Sequence, residues 1–508
     1  MLKKLLVVLT SMIFLFTACG EKAETKKVKE ELVIAQDGEA KSLDIHQGND
    51  GFSLRANRLI YSRLVESDEN MQIHPGLAES WEQIDDKTMQ FHLRKGVKFH
   101  NGYDFTAEDV KFSFERMMNS PRIAFVLPPI EKIEIVDDYT VNLVTKTPFG
   151  PLLAHLSHPA LGIVSKKLLT ENSEALKETP IGTGSYKFKE WIYGDRIVLE
   201  KNEDFYDKNE KGLKYIVFKN VIEASNRAIG LETGEIDIAI AISSVDEENI
   251  KNNPKLQLLT KPSISYSYIG MNMQKSPLND VRVRKAINYA IDKQAIVDVI
   301  LNGNGKVATS PIAPIAPGVF GFTDKTKNYE YNVEKAKELM KEAGYENGFT
   351  TSILVFSGEA NTQTAEIVQA YLREIGIDLK VEIVETSAYW DITEKGRHDL
   401  FLGSWGVVTG DADYGLYAMY HSSAKGGAGN RDFYENKKVD ELLDKAKIEI
   451  NPETRKELYE EAQILIVDDA PDVMLYNRNL SVGAQKYIKG LGVHPVTLHN
   501  FATVYVEE

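Results

Sequence analysis

The sequence predicts a multidomain α/β protein, on three observations. At 508 residues the chain is too long for one hydrophobic core and should divide into two or three domains. Between about residues 62 and 180, two hairpins share one wording around a short helix, which marks a small α+β unit. From Tyr266 onward the pattern lengthens into alternating helices and strands, the mark of a separate α/β domain.

The N-terminus carries its own signal. Lys3 and Lys4 precede an apolar run, Leu5–Phe16, broken only by Thr10 and Ser11. As a helix this run spans about 18 Å, short of a hydrocarbon core of roughly 30 Å, so it is a signal-peptide segment and not a membrane span. It ends in Phe16-Thr17-Ala18-Cys19-Gly20, which resembles a bacterial lipobox, whose cysteine is acylated and becomes the first residue. Cys19 is the only cysteine, which excludes an internal disulfide. Residues 1–18 are therefore expected to be removed, Cys19 to carry lipid, and 19–31 to form a charged, unpatterned tether. The alternative is a plain secretory signal with an incidental cysteine.

Composition is that of a folded globular protein, with 43% hydrophobic and 27% charged residues. The formal charge of −15 becomes −17 once residues 1–18, charged only at Lys3 and Lys4, are gone. So acidic a body is not built to bind nucleic acid or anionic lipid.

Leu32-Val33-Ile34-Ala35 reads as a short buried strand that Gly38 breaks. The hairpins at Glu82–Phe91 and Glu134–Leu143 share E-x-x-D-D-x-T; the paired Asp residues favour the turn, and Met89/Phe91/Leu93 and Val141/Leu143 alternate as strands do. Between them Thr106-Ala-Glu-Asp109 is a capping box opening a helix through Met117. The glycines of Gly182-Thr-Gly184 invite a phosphate-loop reading. It fails because strand residues follow (Tyr186, Phe188, Trp191, then Ile197-Val-Leu199) where a helix would be required. Another strand is expected at Tyr215–Phe218 and a helix near Ala224–Glu232.

In the last part, Val283, Ala286, Ile287, Ala290 and Ile291 hold one helical face, with Gly303 placed as a C-cap. Helices are expected over Asn332–Gly344, Thr362–Ile375 (stopped by Gly376) and 452–467, where Pro452 opens the first turn. Ile377, Leu379, Val381 and Ile383 alternate as a strand, and Val473–Tyr476 forms another.

One stretch, Leu402–Asn430, is unlike its surroundings. It holds seven Gly and the aromatics Trp405, Tyr414, Tyr417 and Tyr420. Its acids, Asp411 and Asp413, have no cation near them in sequence. Backbone free to take positive φ, aromatic walls and two unpaired acids suit a pocket for something cationic and partly apolar; an irregular surface loop is the plainer alternative.

Several phrases together resemble the extracellular solute-binding proteins of peptide ABC importers, the dipeptide/oligopeptide/nickel-binding family. They are Leu77-Ala-Glu-Ser-Trp81, Phe91-His-Leu-Arg-Lys-Gly-Val-Lys-Phe-His-Asn-Gly102, Thr106-Ala-Glu-Asp-Val110, Gly182-Thr-Gly-Ser-Tyr186, Gly234-Glu-Ile-Asp237 and Val283-Arg-Lys-Ala-Ile-Asn-Tyr-Ala-Ile-Asp292. The resemblance implies a two-lobed, hinged periplasmic-binding-protein fold with an additional small α+β domain in the first lobe. The first lobe would comprise a sheet domain (32–61, 181–265 and 480–508) and the small domain at 62–180, and the second lobe 266–479. Hinge closure over ligand is the implied mechanism.

The resemblance also implies that a peptide lies as an added strand between one extended segment from each lobe, so that main-chain hydrogen bonds carry affinity. By position these segments are Gly38-Glu39-Ala40 and Gly403-Ser404-Trp405-Gly406, with Asp411 or Asp413 holding the peptide α-ammonium and Tyr414 and Tyr417 as pocket walls. Dipeptide binders carry an Arg for the ligand carboxylate ahead of the helix that matches Thr362–Ile375; Val355–Asn361 has none. Gly410-Asp-Ala-Asp413-Tyr and Gly429-Asn-Arg431 lie closer to the branch with glutathione-binding and haem-related members. The implied protein is a monomeric, lipid-anchored receptor for short peptides or glutathione, working with ABC permease subunits and needing no cofactor.

Other chemistry is poorly supported by the residues. His155/His158 and His494/His499 have spacings that can hold metal, but neither pair has a cysteine or acid cluster beside it. His421 lies in the pocket stretch and leaves nickel open as a ligand. Asp411 and Asp413 as a general acid and base would make a hydrolase, yet the sequence supplies no accompanying nucleophile and base. Tyr266 and Tyr268 either line the cleft or are ordinary strand aromatics.

Overall fold

The computed structural model describes residues 29–507 other than 49, 209, 314–318 and 428. The signal segment, Cys19 and most of the tether lie outside the described residues. Twelve strands among the described residues form one mixed sheet. Its central element is a 14-residue strand, Asp472–Gln485, nearly all of it buried. The strand expected over Val473–Tyr476 thus continues to Gln485. The run Asn477-Arg478-Asn479 hides its continuation, because its polar side chains interrupt the apolar pattern that marks a strand.

That strand serves two halves of the sheet. Its first half pairs antiparallel with Ser265–Met271, from Asp472↔Gly270 to Tyr476↔Ser267, across a bulge at Ser267/Tyr268. Its second half pairs with Leu256–Pro262 over Asn479–Gln485 and with Ile238–Ile240. Beyond Ile238–Ile240 lie Glu31–Gln36, Tyr215–Asn220, Arg196–Lys201 and Tyr186–Ile192. Beyond Ser265–Met271 lie Leu400–Gly406, Phe349–Phe356 and Ile377–Val384. Among the interior strands, Glu31–Gln36 and Ile238–Ile240 carry apolar runs, as burial on both faces requires.

A separate four-stranded sheet is built from the two hairpins, Ala78–Gln83 with Thr88–Leu93 and Ile130–Asp137 with Thr140–Thr145, joined through Thr88–Leu93 and Thr140–Thr145. Helix Ala107–Met118 lies against it, and the Asp109 carboxylate accepts from the Thr106 backbone N–H at 2.9 Å. This sheet and the Glu31–Gln36 arm share one hydrophobic core, including Phe91, Phe105, Phe114, Ile216 and Phe501. The other arm holds two cores, one on each of its faces.

The helix read from Val283 to Gly303 is two helices, Val281–Ala290 and Lys293–Ile300. Asp292 accepts from Ala295 N at 3.0 Å and caps the second helix, so the first ends at Ala290 and does not continue to Gly303. The third helix begins at Glu359, three residues before Thr362. Among the described residues no helix is long and apolar enough to cross a membrane.

Candidate functional site

Strand Leu400–Gly406 pairs along its whole length with Ser265–Met271 on one side. On its other side it pairs with Phe349–Phe356 only through Leu400 and Phe401. Past Phe401 the neighbouring strand diverges, so Gly403-Ser404-Trp405-Gly406 has an edge without a strand partner among the described residues, and Ser404 is exposed. An unpaired edge is a template for an added strand. Glycine at 403 is required by packing: a Cβ there would stand 2.7 Å from the Tyr268 ring. Tyr268 itself is buried against Phe401, and buried Tyr266 donates to or accepts from Tyr420 at 3.0 Å, so both tyrosines are strand aromatics.

Gly38-Glu39-Ala40 follows strand Glu31–Gln36 as irregular backbone. A Cβ at Gly38 would meet the Phe52 ring at 2.4 Å, and the Glu39 carboxylate accepts from Gly194 N at 2.6 Å. No backbone hydrogen bond joins 38–40 to 403–406 among the described residues.

The two acids differ completely. Asp411 caps helix Ala412–Tyr420, accepting from Asp413 N at 2.9 Å. Its carboxylate is gripped by both terminal nitrogens of Arg455, on helix Pro452–Asp469, with Nη1 to Oδ2 at 2.7 Å. Arg455 also donates to Tyr459 Oη at 3.1 Å and lies 4.5 Å over the Phe320 ring. Burial works against its charge, yet Asp411 and Tyr459 hold the guanidinium pKa above its ordinary value. The expectation of two unpaired acids is therefore corrected: Asp411 is paired, by a cation 44 residues further along the chain.

Asp413 has no such partner. It is 5% exposed, and its Oδ1 is buried without a hydrogen bond. Its Oδ2 lies 3.7 Å from Nε2 of His155, beyond hydrogen-bond length. His155, on the short helix Leu152–Leu156 of the small-sheet region, is buried and donates from Nδ1 to Val126 O at 3.0 Å; the carbonyl can only accept, so the hydrogen is on Nδ1. Its Nε2 is buried without a hydrogen bond. Around this pair stand Tyr414, whose ring stacks on Trp405 at 6.0 Å, and Phe149, edge-on to His155 at 5.1 Å. The Trp405 indole nitrogen is likewise buried and unbonded.

Thus Trp405, Asp413 and Tyr414 come together, and His155 and Phe149 join them from the small-sheet region. Sequence spacing pairs His155 with His158 and gives no sign that it meets Asp413. Tyr417 is engaged elsewhere: its ring stacks on His421 at 4.2 Å and its face carries Lys447 Nζ at 3.8 Å. His158 and His499 are packed histidines, which burial pushes down to about 3. Among the described residues no group of three or more His, Cys, Asp or Glu could hold a metal ion.

Asp413 Oδ1 thus keeps an unmade hydrogen bond, and a buried acceptor left this way is complementary to a hydrogen-bond donor.

The chain is similar to known proteins over most of its length. Residues 72–427 match the model of the bacterial extracellular solute-binding proteins, family 5. The chain is 32% identical over 480 residues to a glutathione-binding protein, GsiB, of Pectobacterium atrosepticum, covering 92% of this chain and 93% of the relative. It is 31% identical over 480 residues to the dipeptide-binding protein of Escherichia coli K12, covering 88% and 89%. Among solved structures it is similar to the periplasmic binding protein DppA of Helicobacter pylori in complex with peptide STSA, with TM-score 0.80, 33% identity and coverage of 94% and 98%. HbpA2 of Haemophilus parasuis superposes with TM-score 0.85 at 30% identity, covering 94% and 100%. The fold is the two-lobed α/β fold of periplasmic binding proteins. The chain belongs to the bacterial extracellular solute-binding proteins, family 5.

Proposed function

We propose that this protein is the lipid-anchored receptor of an ABC importer, capturing short peptides between its lobes and delivering them to the permease. Cys19 carries the anchor, and the protein acts as a monomer. Lobe 1 comprises 32–61, 62–180, 181–265 and 480–508, and lobe 2 comprises 266–479. The hinge lies where the paired strands Leu256–Met271 and Asp472–Gln485 pass from one arm of the sheet to the other, a reading supported by their divided pairing. The peptide backbone adds to the open edge of Gly403–Gly406, faced by Gly38–Ala40, and its α-ammonium sits on Asp413.

The observation that carries this reading is the buried Asp413 carboxylate, whose Oδ1 lacks a hydrogen bond while its neighbour Asp411 is saturated by Arg455. A charge-assisted hydrogen bond to it contributes about 1.5–3 kcal/mol. Glutathione is the second reading, favoured by the similarity to glutathione-binding relatives; its γ-glutamyl group offers the same α-ammonium. Binding is the role, a reading supported by the binding proteins among the relatives.

Thermal-shift screening with dipeptides, oligopeptides, glutathione, haem and nickel tests the reading, because a ligand at 100 times its Kd stabilises by about 2.7 kcal/mol. A stabilising peptide or glutathione recovered intact by mass spectrometry supports it. Stabilisation by haem or nickel alone, or turnover of the peptide by the protein, overturns it.

A further inference from the structure

We propose that His155 is the second residue that holds the ligand ammonium, so that the charged end of the ligand is gripped from both lobes at once. This rests on the reading of Asp413 as an ammonium anchor. With a hydrogen on Nδ1 donated to Val126 O, His155 offers the lone pair of Nε2 as its acceptor. That lone pair faces Asp413 Oδ2 at 3.7 Å, acceptor against acceptor, and neither Nε2 nor Asp413 Oδ1 has a partner. One group resolves the mismatch: a nitrogen with several N–H donors, near enough to bond to both. A primary ammonium satisfies both acceptors. An amide N–H, with one hydrogen, satisfies one.

The arrangement also ties recognition to closure. His155 belongs to the small-sheet region and Asp413 to the helix after the open strand edge, so the ammonium bridges elements that separate if the lobes open.

The other groups around His155 are engaged elsewhere. Tyr414 and Phe149 meet it with their rings. Arg455 and Tyr459, on the helix behind, are committed to Asp411 and to each other. His158, on its own turn, is held neutral by burial, with its pKa lowered to about 3. Asp413 is the carboxylate that faces the imidazole.

The test is calorimetric titration of the processed full-length chain with the tetrapeptide Ser-Thr-Ser-Ala and with its N-acetylated form. The expected parent result is preference for the free amine. His155→Phe keeps the ring packing and loses the acceptor, and should bind the free-amine peptide about tenfold more weakly. His155→Gln keeps a side-chain acceptor and should recover part of that loss. If the parent prefers the free amine and His155→Phe binds it like the parent, or if His155→Gln binds no better than His155→Phe, the role of His155 is overturned while the anchor at Asp413 stands. If the parent binds both forms equally, the ammonium anchor falls and this inference with it.

Discussion

Changing Asp to Asn at 411 and at 413 applies one chemical perturbation to two carboxylates two residues apart, and the structure gives them opposite outcomes. At 413 the substitution removes a charge that ligand would neutralise. The loss is one charge-assisted hydrogen bond, about 1.5–3 kcal/mol, or roughly one to two decades in Kd. The ligand-free fold should hardly notice, because no protein hydrogen bond to Asp413 Oδ1 is lost; only the favourable placement of an acid in the first helical turn goes, at about 0.3–1 kcal/mol. At 411 the Asn still caps the helix, but Arg455 keeps its buried charge without a counterion. Breaking a buried pair from one side costs about 3–5 kcal/mol. Asp411→Asn should therefore lower the thermal midpoint of the ligand-free protein sharply, whereas Asp413→Asn should leave it near the parent. Thermal unfolding without ligand and calorimetry with a free-amine peptide, run on both variants, separate the two effects. If Asp413→Asn binds like the parent while Asp411→Asn loses binding at unchanged stability, the assignment is reversed; if neither affects binding, no ammonium anchor exists here.

Three further outcomes are expected. Gly403→Ala drives a methyl into the buried Tyr268 ring, 2.7 Å away, and should lower stability by about 1–3 kcal/mol in denaturant titrations, with weaker peptide binding along the displaced strand edge. Burial raises the Glu210 carboxyl from its ordinary 4.5 to about 7. The folded state then binds this proton more tightly than the unfolded state, so the stabilisation is complete below pH 4.5 and is lost as pH rises through about 7. Glu210→Gln should flatten that decline when chemical unfolding is compared between pH 5 and 8. Cys19→Ser should move the protein from the membrane fraction to the soluble extracytoplasmic fraction, read by fractionation and intact-mass measurement of the lipid.

Local signals in the sequence located many of the elements. Thr106 with Asp109 marked the start of Ala107–Met118, Pro452 that of Pro452–Asp469, and the twin Asp turns the strands of the small sheet. These signals work because caps and turns are settled by residues three or four apart. Two elements differ from the expectation, one for a local reason and one for a distant one. Asp292 ended one helix by capping the next, and the continuation of Asp472–Gln485 depends on strands more than 200 residues earlier in the chain.

The site divides along the same line. The Gly-rich, aromatic stretch at Leu402–Asn430 stood out from composition alone, and the open edge of Gly403–Gly406 lies within it. Which acid is saturated did not, because Arg455 arrives from another helix. His155 was legible only as half of a metal-like spacing, since its contact with Asp413 exists only once the two arms of the fold meet. A Tyr in a candidate pocket stretch can also turn away, as Tyr417 does to stack on His421. Periodicity says which face of a helix a residue occupies but not what that face meets.

The most direct test of the central claim, that a ligand ammonium completes the buried Asp413 site, is the affinity of one short peptide with its N-terminus free and with it acetylated, measured on the parent and on Asp413→Asn. The account expects acetylation to weaken binding to the parent by at least about tenfold and to make little difference to the variant. Equal affinities for the two forms in the parent, or an undiminished preference in Asp413→Asn, would contradict it.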